Sequence, residues 1–378
     1  TVTVTLTTAP NAGSNGTASF CSNSASANLF SSLGGSPAAG GTWTGPSALW
    51  GGSLGTYNPA TNSPGVYTYT VTGPAPCANA TATVTVTENT APNAGTNGTV
   101  TFCSNGAAAN LFSSLGGSPA AGGTWTGPSA LTGGSLGTFT PGTNTAGTYT
   151  YTVTGTAPCA NATATVTVTI NTAPNAGTNG TLSICSNGSA TNLFPLLGGS
   201  PAAGGTWTGP SVLTGGSSGT FTPGTNTAGT YTYTVTGAAP CANATSTVTV
   251  TVNNAPASPT VTPTSSTICE GQSTTINASG TGGVTFNVYD AAVAGTLLGT
   301  TPLTVSPTST TTYYVESVSA QGCINSGGTV ATTITVIPID DPSWTSPGAT
   351  CIPAGPIDLN SLITGTTGGT WSGTGVTG

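Results

Sequence analysis

The residues in this chain best equipped for chemistry are its nine cysteines, and they keep a regular spacing. Cys21 to Cys77, Cys103 to Cys159 and Cys185 to Cys241 are each 56 residues apart, and Cys269 to Cys323 is 54. Thiols in such a pattern oxidise in pairs, which requires an oxidising compartment. The expected pairs are Cys21–Cys77, Cys103–Cys159, Cys185–Cys241 and Cys269–Cys323. Cys351 opens a further pair whose partner would fall beyond residue 378. Closing a loop of this size stabilises a fold by about 4 kcal/mol in the chain-entropy model. Free buried cysteines are the plainer alternative. Metal binding fits less well, because no C-x-x-C spacing and no histidine occurs.

Other chemistry is scarce. The chain has no Lys, Arg, His or Met. Its only acids are Glu88, Glu270, Asp290, Glu316, Asp340, Asp341 and Asp358, and they are scattered. Asp340 and Asp341 are adjacent but precede Pro342 in what reads as a linker. Acid–base and nucleophilic catalysis draws on His, Lys or paired carboxylates, so the expectation is no enzyme, no catalytic residues and no cofactor. A nucleic acid or an anionic lipid surface needs Lys or Arg to neutralise it. Calcium needs clustered carboxylates. Lysine-based isopeptide cross-links are impossible. Charged residues are 2% of the chain, so stability should change by only a few degrees in Tm between pH 4 and 9.

Those cysteines must be positioned by a repeated framework. "APNAGSNGTASFCSN" at 9 returns as "APNAGTNGTVTFCSN" at 91 and "APNAGTNGTLSICSN" at 173, a period of 82. The expected segments are 1–8 (the last strand of a preceding repeat), three repeats at 9–90, 91–172 and 173–254, a divergent fourth at 255–338, and 339–378 as the first half of a fifth. Within the second repeat "GTVTFCS" alternates apolar and polar residues, as a half-buried strand does. "AGTYTYTVTG" puts Tyr149, Tyr151 and Val153 on one face and threonines on the other. "GGTWTGP" and "GSLGTFTP" read as strands between Gly and Pro punctuation, and "CANATATVTVTI" as the closing strand. "NLFSSLGG" fits a helical turn or a strand. Nothing has a 3.6-residue period over 11 or more residues. The fold expected is all-β, with tandem Ig-like β-sandwiches as beads on a string. The disulfide is expected near the start of each last strand. In the fourth repeat Phe286 and Tyr289 stand where the others place Trp.

"ICEGQSTTINASGTGGVTFNVYD" and the segment following it resemble the Ig-like modules of large cell-surface proteins in Bacteroidota. The "CSN…GGTWTGP…GTYTYTVTG…PCANATATVTV" repeats are similar to the PKD-like and Ig-like companions of those modules. The resemblance spans essentially the whole chain and is specific for a repeat class. It implies type IX secretion, attachment at the outer surface, and roles in adhesin stalks or gliding-motility filaments.

The function expected is a structural stalk or filament segment of an extracellular, cell-surface adhesin. The alternative is a multivalent glycan-binding array. Partners would be neighbouring copies of the chain or surface glycans, with no direct membrane insertion: no run of 18 or more apolar residues occurs. Trp43, Trp125, Trp207 and Trp371 could be sugar-stacking platforms, but core aromatics fit their alternation with Thr better. Trp50 becomes Thr132 and Thr214 in the sister repeats, which marks it as a possible surface contact. The T-x-T runs read as strand faces rather than ice-binding ladders. The Asn-x-Thr triplets read as turn chemistry rather than glycan sites. "ATATVTVT" has no charged residue to guard a sheet edge, so lateral pairing of chains is a further expectation.

Overall fold

The computed structural model describes residues 1–281, 284–346 and 356–377. Cys351 therefore lies outside the described residues. The chain forms two compact units, Thr1–Asn175 with Thr236–Ala244, and Ala176–Val235 with Thr245–Gly378.

In the first unit, repeat one consists of β1 (Gly16–Cys21), β2 (Ala27–Asn28), β3 (Thr42–Thr44), β4 (Thr56–Tyr57), β5 (Gly65–Val71) and β6 (Ala80–Asn89). A four-stranded sheet of order β1-β6-β5-β3 faces a two-stranded sheet of β2 and β4. The first and last strands run parallel, from Gly16 opposite Val84 to Cys21 opposite Asn89. All other pairs in this repeat are antiparallel. Alternation decides the faces: Ala82, Val84 and Val86 of β6 are buried, while the threonines between them face outward. Some of those hydroxyls pair across strands, as Ser19 with Thr87 at 2.8 Å.

Repeat two repeats this plan in β7 (Gly98–Cys103), β8 (Ala109–Asn110), β9 (Thr124–Thr126), β10 (Thr138–Phe139), β11 (Gly147–Val153) and β12 (Ala162–Asn171), with β7 parallel to β12. "NLFSSLGG" resolves into the short strand β8 and a 3-10 turn, Leu111–Ser114, which buries Leu111 completely. "GSLGTFTP" is less strand than its sequence suggests: Gly134–Leu136 is a 3-10 turn and only Thr138–Phe139 pairs.

The interiors are tyrosine-rich. Tyr57, Tyr67 and Tyr69 are wholly buried with Leu29 and Val84, as are Tyr149, Tyr151 and Phe139 with Leu111 and Val166. Each such side chain contributes roughly 1.5–3 kcal/mol by leaving water. Their hydroxyls are satisfied: that of Tyr151 donates to Ala120 O and accepts from Gly123 N, both at 2.8 Å. The tryptophans sit at the rim rather than the centre. Trp125 is half-buried against Tyr151, and its Nε1 donates to Ser135 O at 3.0 Å. The flanking glycines explain why tyrosine holds the centre. A Cβ on Gly127 would stand 2.3 Å from the Tyr149 ring, and one on Gly123 2.5 Å from the Tyr151 ring. "GGTWTG" thus leaves slots through which the neighbouring tyrosines reach the core.

In the second unit, repeat three has the same order: β13 (Gly180–Cys185), β14 (Thr191–Asn192), β15 (Thr206–Thr208), β16 (Thr220–Phe221), β17 (Gly229–Val235) and β18 (Ala244–Asn253). The fourth repeat differs. Its strands are β19 (Thr260–Thr262), β20 (Ser265–Cys269), β21 (Thr274–Ser279), β22 (Thr285–Tyr289), β23 (Leu297–Thr300), β24 (Leu303–Val305), β25 (Thr311–Val318) and β26 (Val330–Ile337). They form a five-stranded sheet, β20-β26-β25-β22-β23, and a three-stranded one, β19-β21-β24. The fully buried residue of β22 is Val288; Phe286 and Tyr289 are half-buried. Thr1–Thr8 is not a strand here: Val2, Val4 and Leu6 are exposed.

Candidate functional site: the cysteine junctions

The disulfides do not close individual repeats. Cys21 bonds Cys159, Cys103 bonds Cys241 and Cys185 bonds Cys323, each with a sequence separation of 138. The expected pairs Cys21–Cys77, Cys103–Cys159, Cys185–Cys241 and Cys269–Cys323 are therefore corrected. Among the described residues, Cys77 and Cys269 are free thiols.

The parallel pairing gives the reason. Cys21 ends β1, opposite Asn89 at the finish of β6. Cys77 lies just before the start of β6, which begins at Ala80. Ten residues of strand separate the two ends by about 30 Å, far beyond the roughly 7 Å that Cα atoms can span in a disulfide. What does reach Cys21 is the equivalent loop of the next repeat. Its Cys159 brings the Cα atoms to 4.9 Å.

Each junction is assembled from three short signals. The first is the strand-ending cysteine. The second is the asparagine opposite it: Asn89 Nδ2 donates to Ala157 O at 2.7 Å, and Cys159 Sγ lies 3.3 Å from Asn89 O. Asn171 does the same with Ala239 and Cys241, at 2.7 and 3.4 Å. In the second unit Cys323 Sγ lies 3.7 Å from Asn253 O. The third is the serine of "CSN". The backbone N–H of Ser22 donates to Asn89 O at 3.0 Å, and its Oγ accepts from Ala91 N at 2.9 Å. Ser104 and Ser186 repeat this toward Ala173 and Ala255. The linker is thereby held by hydrogen bonds at its root. Reading the sequence missed Asn89, Asn171 and Asn253; their recurrence at the same place in each repeat was the available signal.

Other asparagines act as rivets within a repeat. Asn15, Asn97 and Asn179 each accept from the N–H of a last-strand threonine at 2.9 Å. Asn161 accepts from Gly155 N at 3.0 Å. Both Asn97 and Asn161 head Asn-x-Thr triplets.

Titratable groups elsewhere are also structural. The Tyr57 hydroxyl donates to Glu88 Oε2 at 3.0 Å. Burial, reinforced by that carboxylate, pushes Tyr57 far above the ordinary tyrosine range. The residues at the matching positions are Phe139 and Ile170, and Phe221 and Val252, so repeats two and three have no hydroxyl and no carboxylate there. Tyr289 donates to Glu316 at 2.6 Å and is also raised, chiefly by that bond and by burial. The Ser343 hydroxyl and N–H both donate to the Asp341 carboxylate and lower its pKa. Among the described residues no cluster of three metal-binding side chains occurs, and no helix is long and apolar enough to cross a membrane.

Of the aromatic candidates, Trp50 is 63% exposed. Trp43 and Trp207 are half-buried against Tyr69 and Tyr233. Trp371 packs edge-on to Trp344 and donates to Asn360 Oδ1 at 2.8 Å. Among the described residues, no ring contact joins any two of these candidate tryptophans within a unit.

Residues 256–338 match the family described as an Ig-like domain, CHU_C associated. That match and the sheets above make the chain an all-β array of tandem Ig-like domains. No curated protein matches the sequence. Among solved structures, the chain is similar to Sidekick-1 immunoglobulin domains 1–5 at 14% identity and TM-score 0.27, over 88% of this chain and 81% of that one. It is also similar to the titin I-band fragment I67–I69 at 13% identity and TM-score 0.26, over 64% and 97%. The N-terminal four Ig domains of Dscam1 isoform 6.9 overlap at 12% identity and TM-score 0.21, over 86% and 97%. With three disulfides in place, the chain is a product of an oxidising, extracellular-type compartment.

Proposed function

We propose that this chain is a load-bearing segment of an extracellular stalk or filament, of the kind that carries a cell-surface adhesin, and that it catalyses nothing. The single observation that carries this reading is the bonding of Cys21, Cys103 and Cys185, each at the end of a strand, to the following repeat. The backbone from Cys21 to Cys323 passes through all four repeats. The shortest covalent route crosses to Cys159, follows the backbone to Cys185, and crosses again to Cys323. Only the segment from Cys159 to Cys185 lies in series, and most of it is already extended in β12 and β13. Tension applied at the two ends is therefore carried along β12 and β13, and the loops that hold the buried tyrosines lie off this route. The third bond, Cys103–Cys241, ties together the two bypassed loops.

Single-molecule stretching tests this. The oxidised chain should show no step of about 290 Å, the length released by unfolding a repeat of roughly 82 residues at roughly 3.5 Å each. Such steps should appear after reduction. Full-length repeat unfolding in the oxidised chain would defeat the proposal. A second reading, a glycan-binding array, draws on a cleft of about 600 Å³ along Thr206–Leu213 and Ser217, with Trp207 in its wall and Val212 89% exposed. Binding of the chain to an arrayed glycan, lost in Val212→Asp, would favour it.

A further inference from the structure

Exposed linkers between domains are where a protease cuts first. In this chain every linker between the four repeats is spanned by a disulfide. Cys21–Cys159 crosses the one at Thr90, Cys103–Cys241 the one at Thr172, and Cys185–Cys323 the one at Asn254. Those linker residues are exposed. The loops also overlap, 21–159 with 103–241 and 103–241 with 185–323, so each peptide bond from Cys21 to Cys323 lies inside at least one of them. Bonds closed within each repeat would do the reverse and leave every linker outside every loop.

The surviving routes can be followed residue by residue. With all of these linkers cut, Cys21 still leads across to Cys159, back through repeat two to Cys103, across to Cys241, back through repeat three to Cys185 and across to Cys323. With the repeat bodies cut instead, the route through 159–185 remains. Parting Cys21 from Cys323 takes a cut in 159–185 together with either 21–103 and 103–159 or 185–241 and 241–323. Each set includes a cut inside the body of repeat two or repeat three, where Tyr149 and Tyr151, or Tyr231 and Tyr233, are wholly buried.

We propose that this interleaving makes the chain tolerant of proteolysis. An extracellular endopeptidase that hydrolyses one linker, or all of them, nicks the chain without releasing a repeat, and release requires a thiol reductant as well. Each cut consumes one water and leaves a carboxylate and an amine, with the disulfides untouched. Each Sγ–Sγ bond opens only when a reductant's two thiols are oxidised to a disulfide in exchange, giving back two cysteine thiols. Composition works in the same direction: without Lys or Arg, a trypsin-type protease finds no site at all. The inference goes beyond the stalk reading, since it concerns survival of cleavage rather than of load.

The same lack of Lys and Arg supplies the test, because any introduced arginine is a unique trypsin site. The oxidised chain carrying Thr90→Arg, Thr172→Arg and Asn254→Arg is alkylated at its free thiols, loosened in urea without reductant, and digested with trypsin until the reduced digest shows only 1–90, 91–172, 173–254 and 255–378. The unreduced digest should then be one species, heavier than the uncut variant by one water per cut. Any repeat released without reductant overturns the inference. A second variant, Thr90→Arg with Ala121→Arg and Thr172→Arg, cuts 21–103, 103–159 and 159–185. Unreduced, it should part into two bodies, 1–90 bound to 122–172 and 91–121 bound to 173–378. A single body there, or any other pairing, overturns the inference too. Full-length repeat steps on stretching the uncut chain would defeat the stalk reading and leave both digests as expected.

Discussion

Repeat two and the fourth repeat are built on one frame around different interiors. Both pair a cysteine-ended strand in parallel with the last strand: β7 with β12 in repeat two, and β20, the second strand of the fourth repeat, with β26. Repeat two then fills its core with Tyr149, Tyr151 and Phe139, while the fourth uses Val261, Ile276, Val288, Val315 and Ile334. Cys269 and Cys323 are closer together in sequence than Cys103 and Cys159, and the gap from Cys241 to Cys269 is longer in compensation. The disulfide from Cys185 to Cys323 therefore keeps the sequence separation of 138 found at the other junctions. The frame that makes the junction is kept while the core is exchanged.

The strongest way to break this comparison is to remove a junction on each side of it. Cys103→Ser and Cys185→Ser should each lower unfolding free energy in urea by about 5 kcal/mol, the loop-closure value for a separation of 138. A silent Cys185→Ser would mean that the fourth repeat does not share the frame. Core truncation comes next. Tyr151→Ala should cost about 3–5 kcal/mol and Ile276→Ala about 2–5 kcal/mol by calorimetry or urea titration.

A finer contrast uses one residue type in both interiors. Tyr151→Phe strands the buried Gly123 N–H and should cost about 1–3 kcal/mol. Tyr313 is buried, yet its hydroxyl bonds to nothing among the described residues. Tyr313→Phe should stay within about 0.5 kcal/mol of the parent. Equal costs would remove the distinction between the two cores.

Alkaline pH sharpens the same contrast. Tyr57 and Tyr289 have folded pKa values raised above the unfolded value near 10. Their contribution is complete below about pH 10 and is lost as pH rises toward the folded values, because the unfolded chain ionises first. Urea midpoints measured at pH 9, 10 and 11, with Cys77 and Cys269 alkylated, should fall for the parent and fall less for Tyr57→Phe. Repeat two, with Phe139 and Ile170 at the corresponding positions, lacks this contact. The smallest effect belongs to Trp50→Thr, which copies the sister repeats at a 63% exposed site and should change stability by less than about 0.5 kcal/mol.

Much of the fold could be read along the chain because threonine and apolar residues alternate almost without interruption. "GTVTFC" and "ATATVTVTIN" can bury only one face, and Tyr149 and Tyr151 fall on it. The rim position of Trp125 was not legible, since it depends on which neighbouring ring passes the flanking glycines. "GSLGTFTP" was overread as strand because the αL conformation at Gly133 and Gly137 turns the backbone before Thr138. The local context of each cysteine was legible, but its partner was not.

Sequence alone determined that this is an all-β repeat chain, with thiols delivered at fixed intervals to every repeat. Tertiary structure decided where those thiols meet. Periodic spacing is degenerate: it fits a bond within one repeat as well as a bond to the next. The parallel alignment of first and last strands removes that degeneracy, since it puts the two cysteines of one repeat at opposite ends of the last strand and the cysteines of successive repeats at the same end.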